Sequence, residues 1–226
     1  MGSLNLPEPH WEALTPETQR AYFTIANLDF ISDFYLAGGT GLALQLGHRF
    51  SVDLDFFSPK PNAVSVDQRL ILRELFDGPL LSIIIDKDGT FNAIWQGVGI
   101  SFFRLHSYPL VQPTSLVAGA QVASLEEIGA MKLAAIIDRG TRKDLVDLYF
   151  ILQHTTIESL FKVAAIKYAQ VGSFAFSATR ALAYFEEAEA LLMPKMIDKT
   201  PWPVMKRFLE RQAFAVGRQN LADLWE

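Results

Sequence analysis

The chain has 226 residues, 50% of them apolar, and a net charge of −5 from 20 Lys and Arg against 25 Asp and Glu. A chain this long and apolar buries a sizeable core as one large domain or two small ones, and its acidic balance excludes a general electrostatic grip on nucleic acid, which needs a concentrated basic surface. There is no cysteine, so disulfides, thiol nucleophiles and thiolate metal sites are excluded and chemistry must run on carboxylates, hydroxyls, amines and imidazoles.

Thr15-Pro16 opens a helix, with a capping side chain followed by proline in the first turn and apolar residues at Ala21, Ile25 and Leu28. Phe34 to Ala37 reads as a short buried strand ended by Gly38-Gly39, and Leu42, Ala43, Leu44 and Leu46 suit a short helix stopping near Gly47. A strand is expected over residues 51–58, with Val52, Leu54 and Phe56 on one face and Asp53, Asp55 and Phe57 on the other. Ser65 with Gln68 makes a capping box for a helix through about Phe76, and three strand-like runs follow near 80–86, 91–96 and 99–105, with Asp88-Gly89 turning between the first two. From Ser124, which forms a second capping box with Glu127, helical periodicity runs to Trp225, in helices near 125–139, 143–153, 157–169, 173–192 and 201–218. The expected organisation is an α/β domain over 1–123 with an N-terminal helix, a helical domain over 124–226 and a cleft where they meet. The longest apolar runs, such as Leu80 to Ile85, are too short to span a bilayer, and the first residues lack the pattern of a signal peptide. A cytoplasmic protein with no membrane partner is therefore expected.

Two aspartates one residue apart on a strand project from the same face, close enough to share a divalent cation, and magnesium suits such a site because it prefers oxygen ligands and is completed by water and substrate phosphates. Gly38-Gly39-Thr40 lies between a strand and a helix, where exposed amides and the helix N-terminus favour a phosphate and Thr40 adds a hydroxyl. Each pattern alone is ordinary, an edge Asp-x-Asp or a tight turn; a phosphate cradle followed within about fifteen residues by paired carboxylates is a much rarer conjunction. A P-loop is excluded because no Gly-Lys-Ser/Thr follows, a dinucleotide fingerprint because Gly39-Thr40-Gly41 lacks the third glycine, and an EF-hand because Phe57 stands at the next ligand position. The histidines at 10, 48, 106 and 154 have no metal-ligand spacing. Lys132 and Arg139, seven residues apart on a helix, lie on one face, and Lys143 continues that basic edge.

Leu36-Ala37-Gly38-Gly39-Thr40 and then Arg49 to Phe57 (Arg-Phe-Ser-Val-Asp-Leu-Asp-Phe-Phe) resemble the AbiEii/AbiGii toxin family of nucleotidyltransferases. Glu127 to Ala135, Asp138-Arg139-Gly140 and Lys143 to Tyr149 resemble that family's later motifs in order and spacing, so the likeness spans roughly residues 30–155. The resemblance implies an α+β fold: a DNA polymerase β-like mixed sheet with helices, followed by a C-terminal helical bundle. It implies that Gly39 and Thr40 lie near the nucleotide phosphates, that Lys132 contacts a phosphate, and that Asp53 and Asp55 hold magnesium; Gly38, Ser51, Arg139 and Lys143 complete the expected nucleotide-binding set, and Asp53, Asp55 and Asp144 are the expected catalytic residues. It also implies a nucleoside triphosphate as substrate, an RNA acceptor such as transfer RNA, and an antitoxin protein as partner.

One departure bears on activity. The wider fold supplies a third carboxylate from a later strand, and the corresponding run from Gly97 to Phe103 has Ser101 at that place. Asp86 and Asp88 are nearest, but their Asp-Lys-Asp-Gly setting reads as a hairpin turn. Asp144 is the expected replacement on its motif position, with helix-start stabilisation as its ordinary alternative. The alternative function is a catalytically silent nucleotide- or partner-binding domain of the same fold; a metal-dependent phosphohydrolase is the third reading.

Overall fold

The computed structural model describes residues 8–222, and the expectation for Trp225 lies outside them. The chain divides into two compact units meeting at Ser124–Leu125. In the first, α1 (Pro16–Ala26) starts as expected, the Thr15 side chain accepting from the Thr18 amide. Strand β1 (Tyr35–Ala37) is followed directly by α2 (Gly38–Leu46), which begins at the first glycine of the turn and ends on Gly47 in the left-handed conformation. Then come β2 (Leu54–Ser58), α3 (Val66–Leu75) with its complete Ser65–Gln68 capping box, β3 (Leu81–Lys87), β4 (Thr90–Trp95), β5 (Val98–Arg104), β6 (Thr114–Val117) and β7 (Ala120–Ala123).

The seven strands form one mixed sheet in the order β3-β4-β5-β2-β1-β7-β6. β2 lies antiparallel to β1 and parallel to β5, and β7 lies parallel to β1. The core cluster includes Tyr22, Ile25, Phe34, Leu36, Leu54, Phe56, Leu72 and Phe102. Phe56 and Phe102, one residue beyond the Asp55–Ser101 pair, stack with centroids 5.1 Å apart and hold β2 against β5. Burial of every second β2 residue therefore fixes which face Asp55 occupies.

Two differences from the sequence reading concern this unit. β2 starts at Leu54 rather than Ser51, and Val52, expected on the core face, is exposed; ahead of the strand the pleat does not operate, and the Val52 carbonyl instead accepts from the Thr18 hydroxyl at 3.3 Å. The β6–β7 hairpin was not foreseen. Its strands have four residues each, and its turn puts Ala118 and Gly119 at positive φ, a conformation alanine does not advertise.

The second unit contains α4 (Leu125–Asp138), α5 (Arg142–Ile151), α6 (Ile157–Lys167), α7 (Phe174–Leu182), α8 (Glu186–Ala190) and α9 (Trp202–Ala222). The helix expected over 173–192 is broken between α7 and α8. The break allows Phe185 and Ala188 to be buried together, while Arg142 donates to the Ala188 carbonyl at 2.7 Å and the Glu189 carbonyl at 3.1 Å, satisfying the last turn of α8. Among the described residues no helix is long and apolar enough to cross a membrane.

Candidate active site

The chain leaves β1 at Ala37 and enters α2 through Gly38, whose φ of +66° lies in the left-handed region. Ala37 has no side chain able to cap the helix, so the N-cap residue itself accepts from none of the first amides of α2 through a side chain. Each glycine here makes room for a functional group. A Cβ on Gly38 would lie 3.0 Å from Asp55 Oδ2; one on Gly39 would overlap the Arg49 guanidinium and lie 3.1 Å from Ser51 Oγ. Asp55 is half-buried, whereas Arg49 and Ser51 are buried at 6% and 7% exposure.

Asp53 occupies the last position before β2 and is exposed. Its carboxylate lies against β5, where a Cβ on Gly99 would come within 2.6 Å of Oδ1. Thr40, itself buried, holds this approach in place: its hydroxyl is 2.8 Å from Ser51 Oγ and also donates to the Asp53 carbonyl. The Thr40 side chain thus faces the Asp53 backbone. Gly38, Gly39, Thr40, Ser51, Asp53 and Asp55 are gathered at one place in the first unit.

Ser101 pairs directly with Asp55 across β2 and β5, and Asn92 pairs with Ser101 across β5 and β4. Direct cross-strand partners share a face, so Asp55, Ser101 and Asn92 form a polar row, joined by a 3.2 Å bond from Asn92 Nδ2 to Ser101 Oγ. Asp86 and Asp88 lie elsewhere. Asp86 accepts from Arg69 Nε at 2.7 Å and from Arg73, and Asp88 accepts from Arg104, so both stabilise the β3–β4 hairpin.

In the helical unit Lys132 and Arg139 do share a face, because both reach Asp144. Asp144 Oδ1 accepts from Lys132 Nζ at 3.0 Å and Arg139 Nη2 at 3.1 Å, and Oδ2 from Arg139 Nε at 2.9 Å and from the Thr141 hydroxyl. Lys132 also pairs with Asp147 Oδ2 at 2.6 Å. Asp144 and Asp147 are fully buried, Lys132 is 5% exposed, and Lys143 is exposed. Burial by itself pushes the Asp144 carboxyl up, but the hydrogen bonds from Arg139 and Thr141 and the charge of Lys132 prevail and bring it to about 2. Asp144 is thus ionised with four donors on its two oxygens; binding a metal as well would require it to release one of them.

Three residues missing from the expected set are Arg49, Gly99 and Asn92. Arg49 stood inside the quoted motif, and its signal was proximity to Ser51 and Asp53. Gly99 and Asn92 had no local signal, since only strand pairing brings them to the aspartates.

Three comparisons bear on this arrangement. In fold the chain is similar to MenT4, a nucleotidyltransferase toxin from Mycobacterium tuberculosis H37Rv, with a TM-score of 0.61 and 18% identity over 89% of this chain and 83% of that one. It is also similar to the antibiotic-resistance factor ANT(2″)-Ia, with a TM-score of 0.53 and 12% identity over 71% of this chain and 95% of that one. In sequence it is 31% identical over 207 residues to the uncharacterised protein aq_aa25 of Aquifex aeolicus (strain VF5), covering 88% of this chain and 95% of the relative. The model of the nucleotidyl transferase AbiEii toxins of type IV toxin–antitoxin systems matches residues 20–221, taking in both units and the whole glycine–aspartate site, and on that match the chain belongs to the AbiEii nucleotidyltransferase toxin family.

Proposed function

We propose that this nucleotidyltransferase moves a nucleoside monophosphate from a nucleoside triphosphate to an acceptor hydroxyl, uses magnesium, and serves as the toxin of a toxin–antitoxin pair. The observation that carries the reading is the convergence of the α2 N-terminus, Asp55 against Gly38 and Asp53 against Gly99. Family membership supports the toxin role and, with it, a cognate antitoxin; an RNA acceptor such as transfer RNA is the acceptor class we favour.

The donor set suits magnesium. Asp53 and Asp55 offer hard carboxylate oxygens, one exposed and one half-buried, and an incomplete protein cage is what an ion that retains waters and takes substrate phosphates requires. When bound, the ion neutralises charge on the phosphoryl oxygens and eases deprotonation of the attacking hydroxyl. In the proposed reaction the acceptor oxygen forms a bond to the α-phosphorus as the α–β bridging P–O bond breaks. Pyrophosphate leaves, and the acceptor proton passes to solvent or a nearby base. The amides of Gly38, Gly39 and Thr40 would hold phosphate oxygens, with the Thr40 hydroxyl fixing the Asp53 backbone. Lys132, Arg139 and Lys143 are proposed as further nucleotide-binding residues and Asp144 as a further catalytic carboxylate; Lys132 and Arg139 both donate to Asp144.

Incubating the purified protein with magnesium and each labelled triphosphate in the presence of total cellular RNA tests this. Transfer of label with release of pyrophosphate, abolished by Asp53→Ala, is the expected result. Asp53→Ala retaining wild-type transfer would overturn the reading, and binding without turnover would favour a silent module. Release of inorganic phosphate would indicate a hydrolase.

A further inference from the structure

The acidic balance of the chain does not extend to its last helix. Residues 199–218 hold five basic residues, Lys199, Lys206, Arg207, Arg211 and Arg218, against one acid, Glu210. Met205, Leu209, Ala213 and Val216 are buried at the spacing of one helical face, which orients α9. Arg207, Arg211, Phe214 and Arg218 recur on the opposite face, and all four are exposed, Phe214 at 67%. The Arg218 guanidinium stands 5.8 Å from the centroid of the Phe214 ring. α7 repeats the pairing with Phe176, also exposed, and Arg180, 5.7 Å from its ring centroid.

Between α7 and α9 lies a groove of about 470 Å³ edged by Arg180, Phe214 and Arg218, with Ala213 and Gly217 in its lining. Phe214 also lines a neighbouring groove of about 390 Å³ together with Arg207 and Arg211, and Glu210 is the one acid at both. An exposed ring thus stands between two concavities, each edged by two guanidiniums. Elsewhere on the surface Arg20 pairs with Glu17 and Arg73 with Asp86. Arg180, Arg207, Arg211 and Arg218 have no ion pair among the described residues.

Four such charges fit a polyanion, and the two rings decide its kind. The phosphates of a nucleic-acid strand match the planar guanidinium fork, while unpaired bases lie flat on aromatic rings. A carboxylate-rich peptide would match the charges and leave both exposed rings without stacking partners. We infer that the α7–α9 face docks the RNA acceptor, with Arg180, Arg207, Arg211 and Arg218 contacting phosphates and Phe176 and Phe214 stacking unpaired bases. The inference rests on the nucleotidyltransferase reading with an RNA acceptor and deepens it by naming the surface that holds the RNA. A local patch of this kind is compatible with a chain whose net charge is −5.

Fluorescence anisotropy with labelled, unfractionated transfer RNA over a range of salt concentrations tests it, with polyglutamate as competitor and melting curves to report folding. The proteins are the wild type, Phe214→Ala, Arg211→Gln combined with Arg218→Gln, and Asp53→Ala; the three patch residues are exposed, so these variants should fold. The double arginine variant should bind about tenfold or more weakly, and the slope of log affinity against log salt should shrink by about 0.7–0.9 for each arginine. Phe214→Ala should weaken binding by about tenfold with the slope unchanged, the mark of lost stacking rather than lost charge. Asp53→Ala should bind RNA as the wild type does. RNA affinity within about twofold of wild type in the arginine variant or in Phe214→Ala would overturn the docking surface. Equal displacement of RNA by polyglutamate at matched charge would overturn it too, in favour of an acidic protein partner. If the patch variants bound and labelled RNA like the wild type while Asp53→Ala lost transfer, the nucleotidyltransferase reading would stand without this surface. RNA held through the arginines and Phe214 by a wild-type protein that transfers nothing would remove the enzymatic reading and keep the RNA surface.

Discussion

Asp53 and Asp55 are one residue apart, yet each carboxylate is admitted by a different glycine, Gly99 on β5 and Gly38 at the head of α2. Gly99→Ala therefore places a methyl group 2.6 Å from Asp53 Oδ1, and the exposed carboxylate yields more readily than the strand. Transfer activity should fall by about tenfold or more with only a small change in thermal midpoint, as kinetics and melting on the same preparation would report. Asp144 gives a pH prediction of defined sign. Its folded pKa of about 2 lies below the ordinary value of 3.8, so its contribution to stability is complete above about pH 4 and is lost as pH falls towards 2, where the unfolded chain binds more protons. The contribution is on the order of 2 kcal/mol. Urea midpoints between pH 5 and 2 should fall more steeply for the wild type than for Asp144→Asn, which is itself less stable at pH 7 because Lys132 and Arg139 lose their shared partner.

At the scale of elements, the site depends on a hairpin that carries none of its residues. β7 forms the parallel neighbour of β1, pairing Tyr35 with Gln121 and Leu36 with Val122, and so supports the strand that delivers Gly38. Tyr22 on α1 binds the hairpin from the other side, its hydroxyl donating to the Val117 carbonyl at 2.6 Å in the core, where burial holds the phenol well above its ordinary pKa. Tyr22→Phe should cost about 1–2 kcal/mol in urea unfolding, since it leaves the Val117 carbonyl buried without this donor. Hydrogen exchange of β6 and β7 should accelerate more than that of β4 and β5, which pair independently of it.

At the scale of the molecule, the two units are built differently: the first around a mixed sheet, the second around helices whose core contains a fully buried ion pair. Lys167 Nζ lies 2.6 Å from Glu127 Oε1, with both side chains inaccessible to solvent. Such a pair is costly to break because the surviving charge is stranded, so Lys167→Leu should destabilise the protein by about 3–5 kcal/mol. Glu127→Leu combined with Lys167→Leu should be less damaging than the single change, and thermal unfolding of the single and double variants would show that non-additivity.

Much of this was legible along the chain because its signals are local. The Thr15 and Ser65 caps, the Gly47 stop, the period-two burial of Leu54 and Phe56, and the Asp88-Gly89 turn each act within a few residues, and the elements form where those signals place them. The glycine turn and the paired aspartates belong to the same class, as does the face shared by Lys132 and Arg139. Tertiary structure alone decided what those residues meet. It broke the helix expected over 173–192, with Phe185 buried at the break, and formed a hairpin at Ala118-Gly119 whose first turn residue is an alanine at positive φ. It set Ser101 and Asn92 beside Asp55, put Asp53 against Gly99 and Arg49 against Gly39, and surrounded Asp144 with four donors. Periodicity and capping are properties of neighbours in sequence, whereas strand register and the enclosure of a charge depend on residues far apart in the chain, whose approach is set by burial of the whole core.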